Sequence, residues 1–234
     1  MLGSRVSGLA AEVEAAITDR LAREEEMIFR LLKAVEFRDN DTGDHTLRVA
    51  TYSRMIAETL DLDAEFCRRL FLASPLHDVG KVAIPDLILL KPGRLDADEM
   101  ALIRTHAEIG MRILEGSSCE IVQLAAEIAG AHHERWDATG YPHGLATTAI
   151  PVSARIVAVA DVYDALMTER PYKQAFSQAD ALAYLEKERG RHFDPACVDA
   201  FLKGLPDLDP HLACAAEDAG GGVWFPLQAC AGVA

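Results

Sequence analysis

The stretch Ile156-Val157-Ala158-Val159-Ala160-Asp161-Val162-Tyr163-Asp164-Ala165-Leu166-Met167 decides the fold. Its first five residues form the one β-branched apolar run that has the length of a strand. Apolar and charged residues then recur at helical spacing through Met167, which predicts a buried helix. With that run helical, the chain reads as all-α in a single helical domain. Working outward, the periodicity predicts helices over 44–60, 64–79, 96–115, 120–136, 151–168, 177–189 and 195–203. Asp61, Lys91-Pro92-Gly93, Gly116-Ser117-Ser118, Gly140-Tyr141-Pro142 and Arg170-Pro171 punctuate them.

Three segments follow. Residues 1–35 carry Leu9, Val13, Ile17, Leu21, Ile28, Leu31, Leu32 and Val35 three or four apart, an amphipathic helix expected to link and dimerise. Residues 36–205 form the main domain. Residues 206–234, with Gly220-Gly221-Gly222 and an Ala/Gly-rich end, are expected to be a loose tail in which Trp224 and Phe225 could anchor.

Composition narrows the function. Half of the 234 residues are hydrophobic, enough for one substantial core and too many for a disordered chain. No apolar run approaches the roughly 20 residues of a membrane helix. Charged residues follow Met1–Arg5 where a secretory leader would be apolar, so a soluble cytoplasmic protein without membrane insertion is expected. A net charge of −14 argues against a nucleic-acid polymer as partner. The five cysteines include no C-x-x-C pair and are read as reduced and packed.

The histidines carry the chemistry. Five of the eight fall beside carboxylates or one another: His45 after Asp41, His77 before Asp78, then His106, His132 and His133, with Asp161 further on. His143, His192 and His211 lack such company and are read as surface residues. His77 and Lys81, four apart, would share a helix face. Adjacent helical positions diverge by about 100°, so His132 and His133 are expected to reach two neighbouring ions, or one ion and one substrate oxygen. Singly, each residue has an ordinary structural explanation. Together they are eight potential ligands, too many for one ion, and paired divalent cations are the usual solution for cleaving phosphate esters. Such cations would also let an acidic chain bind a phosphodiester.

In this order the residues resemble the HD-GYP subgroup of the HD metal-dependent phosphohydrolases. The segments that carry the resemblance are Asp41–Val49, Leu76–Asp86, His132–Asp137, Gly140-Tyr141-Pro142 and Arg170-Pro171-Tyr172-Lys173. The resemblance implies an all-helical domain that hydrolyses cyclic di-GMP to pGpG, GMP or both, by attack of a metal-held hydroxide. It implies His45, His77, Asp78, His106, His132, His133 and Asp161 as ligands of two divalent ions, with Asp78 bridging. A third ion would draw on Asp41, which stands where related chains carry glutamate. Iron or manganese is implied foremost, with nickel and zinc admitted.

Lys81 would face the scissile phosphate beside Asp78. Arg170 and Lys173 would hold the other phosphate, and Gly140, Tyr141, Pro142 and Asp164 would line the substrate cavity. Ala138 replaces a glycine that the related loop normally carries. Two other readings stay open: a receptor that binds cyclic di-GMP without turnover, and a hydrolase of another nucleotide. A sensor or cyclase-domain protein is a further expected partner.

Overall fold

The computed structural model describes residues 43–169 and 175–208, together with scattered helical positions between Glu12 and Arg30. Asp41, Arg170, Lys173, His211 and the 209–234 tail lie outside the described residues, as does most of the 1–35 segment.

The described residues contain α-helices and 3-10 turns and no named strand. The helices are α1 (Gly43–Thr59), α2 (Ala64–Ala73), α3 (Asp86–Leu89), α4 (Ala97–Arg104), α5 (His106–Leu114), α6 (Glu120–Ala131), α7 (Val152–Met167), α8 (Gln178–Lys187) and α9 (Pro195–Gly204). Their starts are written in the sequence. Asp63 accepts hydrogen bonds from the amides of Glu65 and Phe66. Asp96 and Glu99 form a reciprocal capping box, and Asp194 accepts from Ala196 with Pro195 at the first position of α9.

Ile156–Ala160 lies within α7 and is buried throughout, as its context predicts. This helix is the centre of the core: α1 and α6 pack on it, α2 packs on α1 and α6, and α9 covers α1. Val49, Ile56, Leu70, Ile128, Ile156, Val159, Leu185 and Phe201 are fully buried between them. Tyr52 meets Tyr163 edge-on at 5.3 Å, and Tyr163 lies 4.6 Å from Phe201. No helix of the described residues is long and apolar enough to cross a membrane.

Three predicted helices are broken or shortened, each within a turn or so of a candidate ligand. The 64–79 helix stops at Ala73 because Pro75 cannot supply an amide to the ladder. Two 3-10 turns, Ser74–Leu76 and Val79–Ala83, carry the chain on. The 96–115 helix divides at Thr105, and the 120–136 helix ends with His132 as its C-cap. Asp86–Leu89, after Pro85, is a short helix that the periodicity missed.

Candidate metal centre

Breaking the helix at Ser74-Pro75 frees the His77-Asp78 backbone to turn into the domain. A close approach then fixes it. A methyl group on Gly80 would meet the His106 carbonyl oxygen at 1.9 Å and the Gly110 nitrogen at 2.5 Å. Glycine is therefore what allows the 79–83 turn to lie against α5 and bring Asp78 beside His106.

Seven of the eight predicted ligands converge; the eighth, Asp41, lies outside the described residues. They form two groups: Asp78, His106, His132 and His133 in one, and His45, His77 and Asp161 in the other. Within each group, one donor atom from every residue lies within 4.8 Å of all the others. Asp78 joins the groups, with its carboxylate 3.3 Å from His77 Nε2, 3.2 Å from His106 Nε2 and 3.7 Å from His132 Nε2. Asp161 Oδ1 lies 3.6 Å from His45 Nε2 and 3.9 Å from His77 Nε2.

The imidazoles are held from behind. Nδ1 of His77 faces the Ser74 carbonyl at 2.8 Å, and that of His106 faces the Ile103 carbonyl at 2.7 Å. His132 Nδ1 lies 3.2 Å and 3.1 Å from the carbonyls of Ile128 and Ala129. A carbonyl can only accept, so the proton sits on Nδ1 and each Nε2 keeps its lone pair for the pocket. Those of His77 and His132 have no protein donor to meet. His77 Nε2, His132 Nε2 and Asp78 Oδ1 are buried without a hydrogen-bond partner. Buried polar atoms are almost always satisfied, and divalent cations would satisfy all three.

The charge balance agrees. Burial opposes ionisation of Asp78, yet Lys81 and His77 hold it well below the usual carboxylate range. Burial, together with the His77 ring, pushes the His132 imidazole down to about 3. His133 is lowered by burial and by His132 and His106. For His77, burial lowers the value, but Asp78 and Asp161 outweigh it and raise the ring to about 9. Ionised Asp78 beside His132 and His133 held neutral belongs to the donor set that divalent metals take, and a cation at His77 would displace the proton that its carboxylate neighbours otherwise favour.

The placement of His132 and His133 departs from the helical expectation. Although His132 keeps helical backbone angles, the two ring centroids are 4.0 Å apart and both belong to the Asp78 group. His133 Nε2 lies 3.1 Å from His106 Nε2. Lys81 likewise reaches the centre from a 3-10 turn and not from a shared helix face, placing Nζ 2.8 Å from Asp78 Oδ2.

Tyr141 forms one wall, its ring stacked 4.7 Å from His133, with the Arg104 guanidinium 5.1 Å from the tyrosine centroid. Gly140 permits this. A methyl group there would lie 2.3 Å from the Arg135 nitrogen and 2.6 Å from the His133 carbonyl oxygen. Glu134 ties the loop down by accepting from the amides of His143 at 2.7 Å and Leu145 at 3.0 Å. The His132–Asp137 segment showed that Glu134 was present but not that it does this.

Ala138 has φ = +66°, a region that costs an L-residue about 1–2 kcal/mol. Ala138→Gly relieves that strain and in return loosens the unfolded chain. The expected net gain is about 0.5–1 kcal/mol, seen as a melting temperature higher by about 2–4 °C per kcal/mol. A lower melting temperature would contradict the strain argument.

Asp164 sits behind His45. It is 1% exposed, accepts from His45 Nδ1 at 2.6 Å, and is gripped by Arg48. The sequence offered no sign of the Arg48 contact. His192 is also misplaced by the sequence reading. It is half-buried, its ring stacks on Phe193 at 4.1 Å, and burial pushes it down to about 4. Its carbonyl accepts from the Trp136 amide, clipping the loop that follows His133. His143 is exposed, as expected.

Residues 16–197 match the sequence profile of the HD domain. The chain belongs to the HD domain family. Curated relatives agree with that placement. The chain is 48% identical over 205 residues to the cyclic di-GMP phosphodiesterase response regulator RpfG of Xanthomonas campestris, covering 88% of this chain and 54% of that protein. It is 44% identical over 196 residues to 3′3′-cGAMP-specific phosphodiesterase 2 of Vibrio cholerae, covering 84% and 38%. A cyclic di-GMP phosphodiesterase of Thermotoga maritima is 45% identical over 183 residues, covering 76% and 50%. The chain thus spans about half the length, or less, of these relatives. Among solved structures, the cyclic GMP-AMP-specific phosphodiesterase V-cGAP3 of V. cholerae shares the fold, with TM-score 0.61 at 20% identity over 83% of this chain and 51% of that one. The two ligand groups are therefore a candidate metal centre of an HD domain.

Proposed function

We propose that this HD domain hydrolyses a cyclic dinucleotide, cyclic di-GMP foremost, giving pGpG, GMP or both. The observation that carries the reading is the pair of ligand groups joined through Asp78. The names of relatives at 44–48% identity supply the substrate class.

Divalent ions, iron or manganese foremost, would supply Lewis-acid stabilisation and an activated water. His106, His132, His133 and Asp78 would hold one, and His45, His77 and Asp161 the other, with Asp78 shared. Asp41 would add a carboxylate for a third. Lys81, fixed on Asp78, directs an ammonium group at the scissile phosphate and surrenders a proton to the leaving 3′-oxygen. Arg170 and Lys173 would grip the second phosphate as fork and point charge. Gly140, Tyr141 and Pro142 wall the cavity. The N-terminal helical segment would pair two copies; Val13 and Met27 on it are 52% and 60% exposed. A sensor or cyclase-domain protein would engage the same segment or the Gly140–Pro142 loop.

The test is product chromatography after incubating manganese- or iron-loaded protein with cyclic di-GMP, 3′3′-cGAMP and a cyclic mononucleotide. Release of pGpG or GMP, stopped by chelator and restored by metal, is expected. Tight binding of cyclic di-GMP with no product from metal-loaded protein would replace the enzyme by a receptor. Cleavage of cGAMP alone would move the substrate within the same class.

A further inference from the structure

His45 differs from His77, His106 and His132 in what stands behind it. His77, His106 and His132 place Nδ1 on backbone carbonyls, which no side-chain substitution removes. His45 places Nδ1 on the carboxylate of Asp164, at 2.6 Å from Oδ2. Arg48 grips that carboxylate in turn, Nε at 2.5 Å from Oδ1 and Nη2 at 3.0 Å from Oδ2. The spacing is repeated on two packed helices: His45 and Arg48 are one turn apart on α1, and Asp161 and Asp164 are one turn apart on α7. The outer rung is the Arg48–Asp164 ion pair. The inner rung sets His45 Nε2 against Asp161, the carboxylate of its own ligand group.

We propose that Arg48 and Asp164 are positioning residues for the His45–His77–Asp161 half of the centre, and that they govern the occupancy of that half alone. This rests on the metal-centre reading given above. An ionised Asp164 fixes the His45 proton on Nδ1, orients the ring and strengthens Nε2 as a donor. The guanidinium fork holds both oxygens, so Oδ2 cannot swing away from His45. Asp164, 1% exposed and with both oxygens engaged, acts on the ligand and not on the substrate. In the Asp78–His106–His132–His133 group, His106 and His132 rest on backbone carbonyls that no substitution at Arg48 or Asp164 removes.

The test counts metal. Metal-free wild type, Asp164→Asn, Arg48→Ala and Arg48→Lys are titrated with Mn²⁺ against a competing chelator, with bound ions measured by elemental analysis. Wild type is expected to take up two ions at these two groups, any third ion at Asp41 being common to wild type and variants. Asp164→Asn and Arg48→Ala are expected to bind one ion with unchanged affinity and the other about 10–100-fold more weakly. High Mn²⁺ restores the second ion and the coupled two-manganese resonance signal. Arg48→Lys falls between, because an ammonium cannot span both oxygens. It also serves where the other substitutions impair folding, which thermal melting of the metal-free proteins reports. Two ions at wild-type affinity in Asp164→Asn, with a raised KM for substrate, would overturn the proposal and make Asp164 a substrate residue. Loss of both ions from a folded variant would overturn it too. A wild type that binds no manganese fails the metal-centre reading itself, a different result from either of these.

Discussion

Asp78→Ala is expected to abolish hydrolysis of cyclic di-GMP, with a fall of more than about 10³-fold, beyond the cost of losing a single stabilising donor. One carboxylate serves four partners: His77, His106, His132 and Lys81 all lie within 3.7 Å of it. Its removal takes a ligand from one group and the link to the other. It also leaves Lys81 without its Asp78 contact and two buried Nε2 atoms facing a gap. Elemental analysis is expected to show fewer ions than in wild type. Asp78→Asn, which keeps the volume and loses the charge, is expected to behave similarly, because metal binding needs the ionised oxygen. Unchanged turnover in either folded variant would reject the site.

Lys81→Ala is expected to lower kcat on cyclic di-GMP by about 10²–10⁴-fold, the range of a lost general acid, while both ions remain bound. Arginine in its place keeps the charge but cannot give up a proton near neutrality, so Lys81→Arg is expected to recover little. A leaving group that needs no proton separates proton donation from charge. With bis-p-nitrophenyl phosphate the Lys81→Ala loss is expected to shrink to less than about 10-fold. An equal loss on both substrates would reassign Lys81 to electrostatic stabilisation, and no loss on either would make it a partner of Asp78 only.

Helix content was legible because helical periodicity and local caps are short-range signals. Asp63, Asp96 and Asp194 cap α2, α4 and α9, and Ile156–Ala160 is buried helix because its flanks keep helical spacing. The ligands were legible as residue types in order. Their geometry was not, since it depends on where helices stop. Pro75 ends α2 before His77, and the two vicinal histidines at the end of α6 face one group. Gly80 and Gly140 mattered for contacts made across 25 or more residues, or with the backbone of a neighbouring turn. Arg48, Glu134 and His192 were passed over because their partners are remote: Asp164 for Arg48, the His143 and Leu145 amides for Glu134, and the Trp136 amide for the His192 carbonyl.

The central claim is that scattered histidines and aspartates enclose a pair of cations. Anomalous X-ray scattering from crystals of manganese- or iron-loaded protein, recorded on both sides of the metal absorption edge, addresses it most directly. Two peaks roughly 4 Å apart are predicted, one among Asp78, His106, His132 and His133, the other among His45, His77 and Asp161. A map of fully loaded crystals with no peak among these side chains would contradict the account.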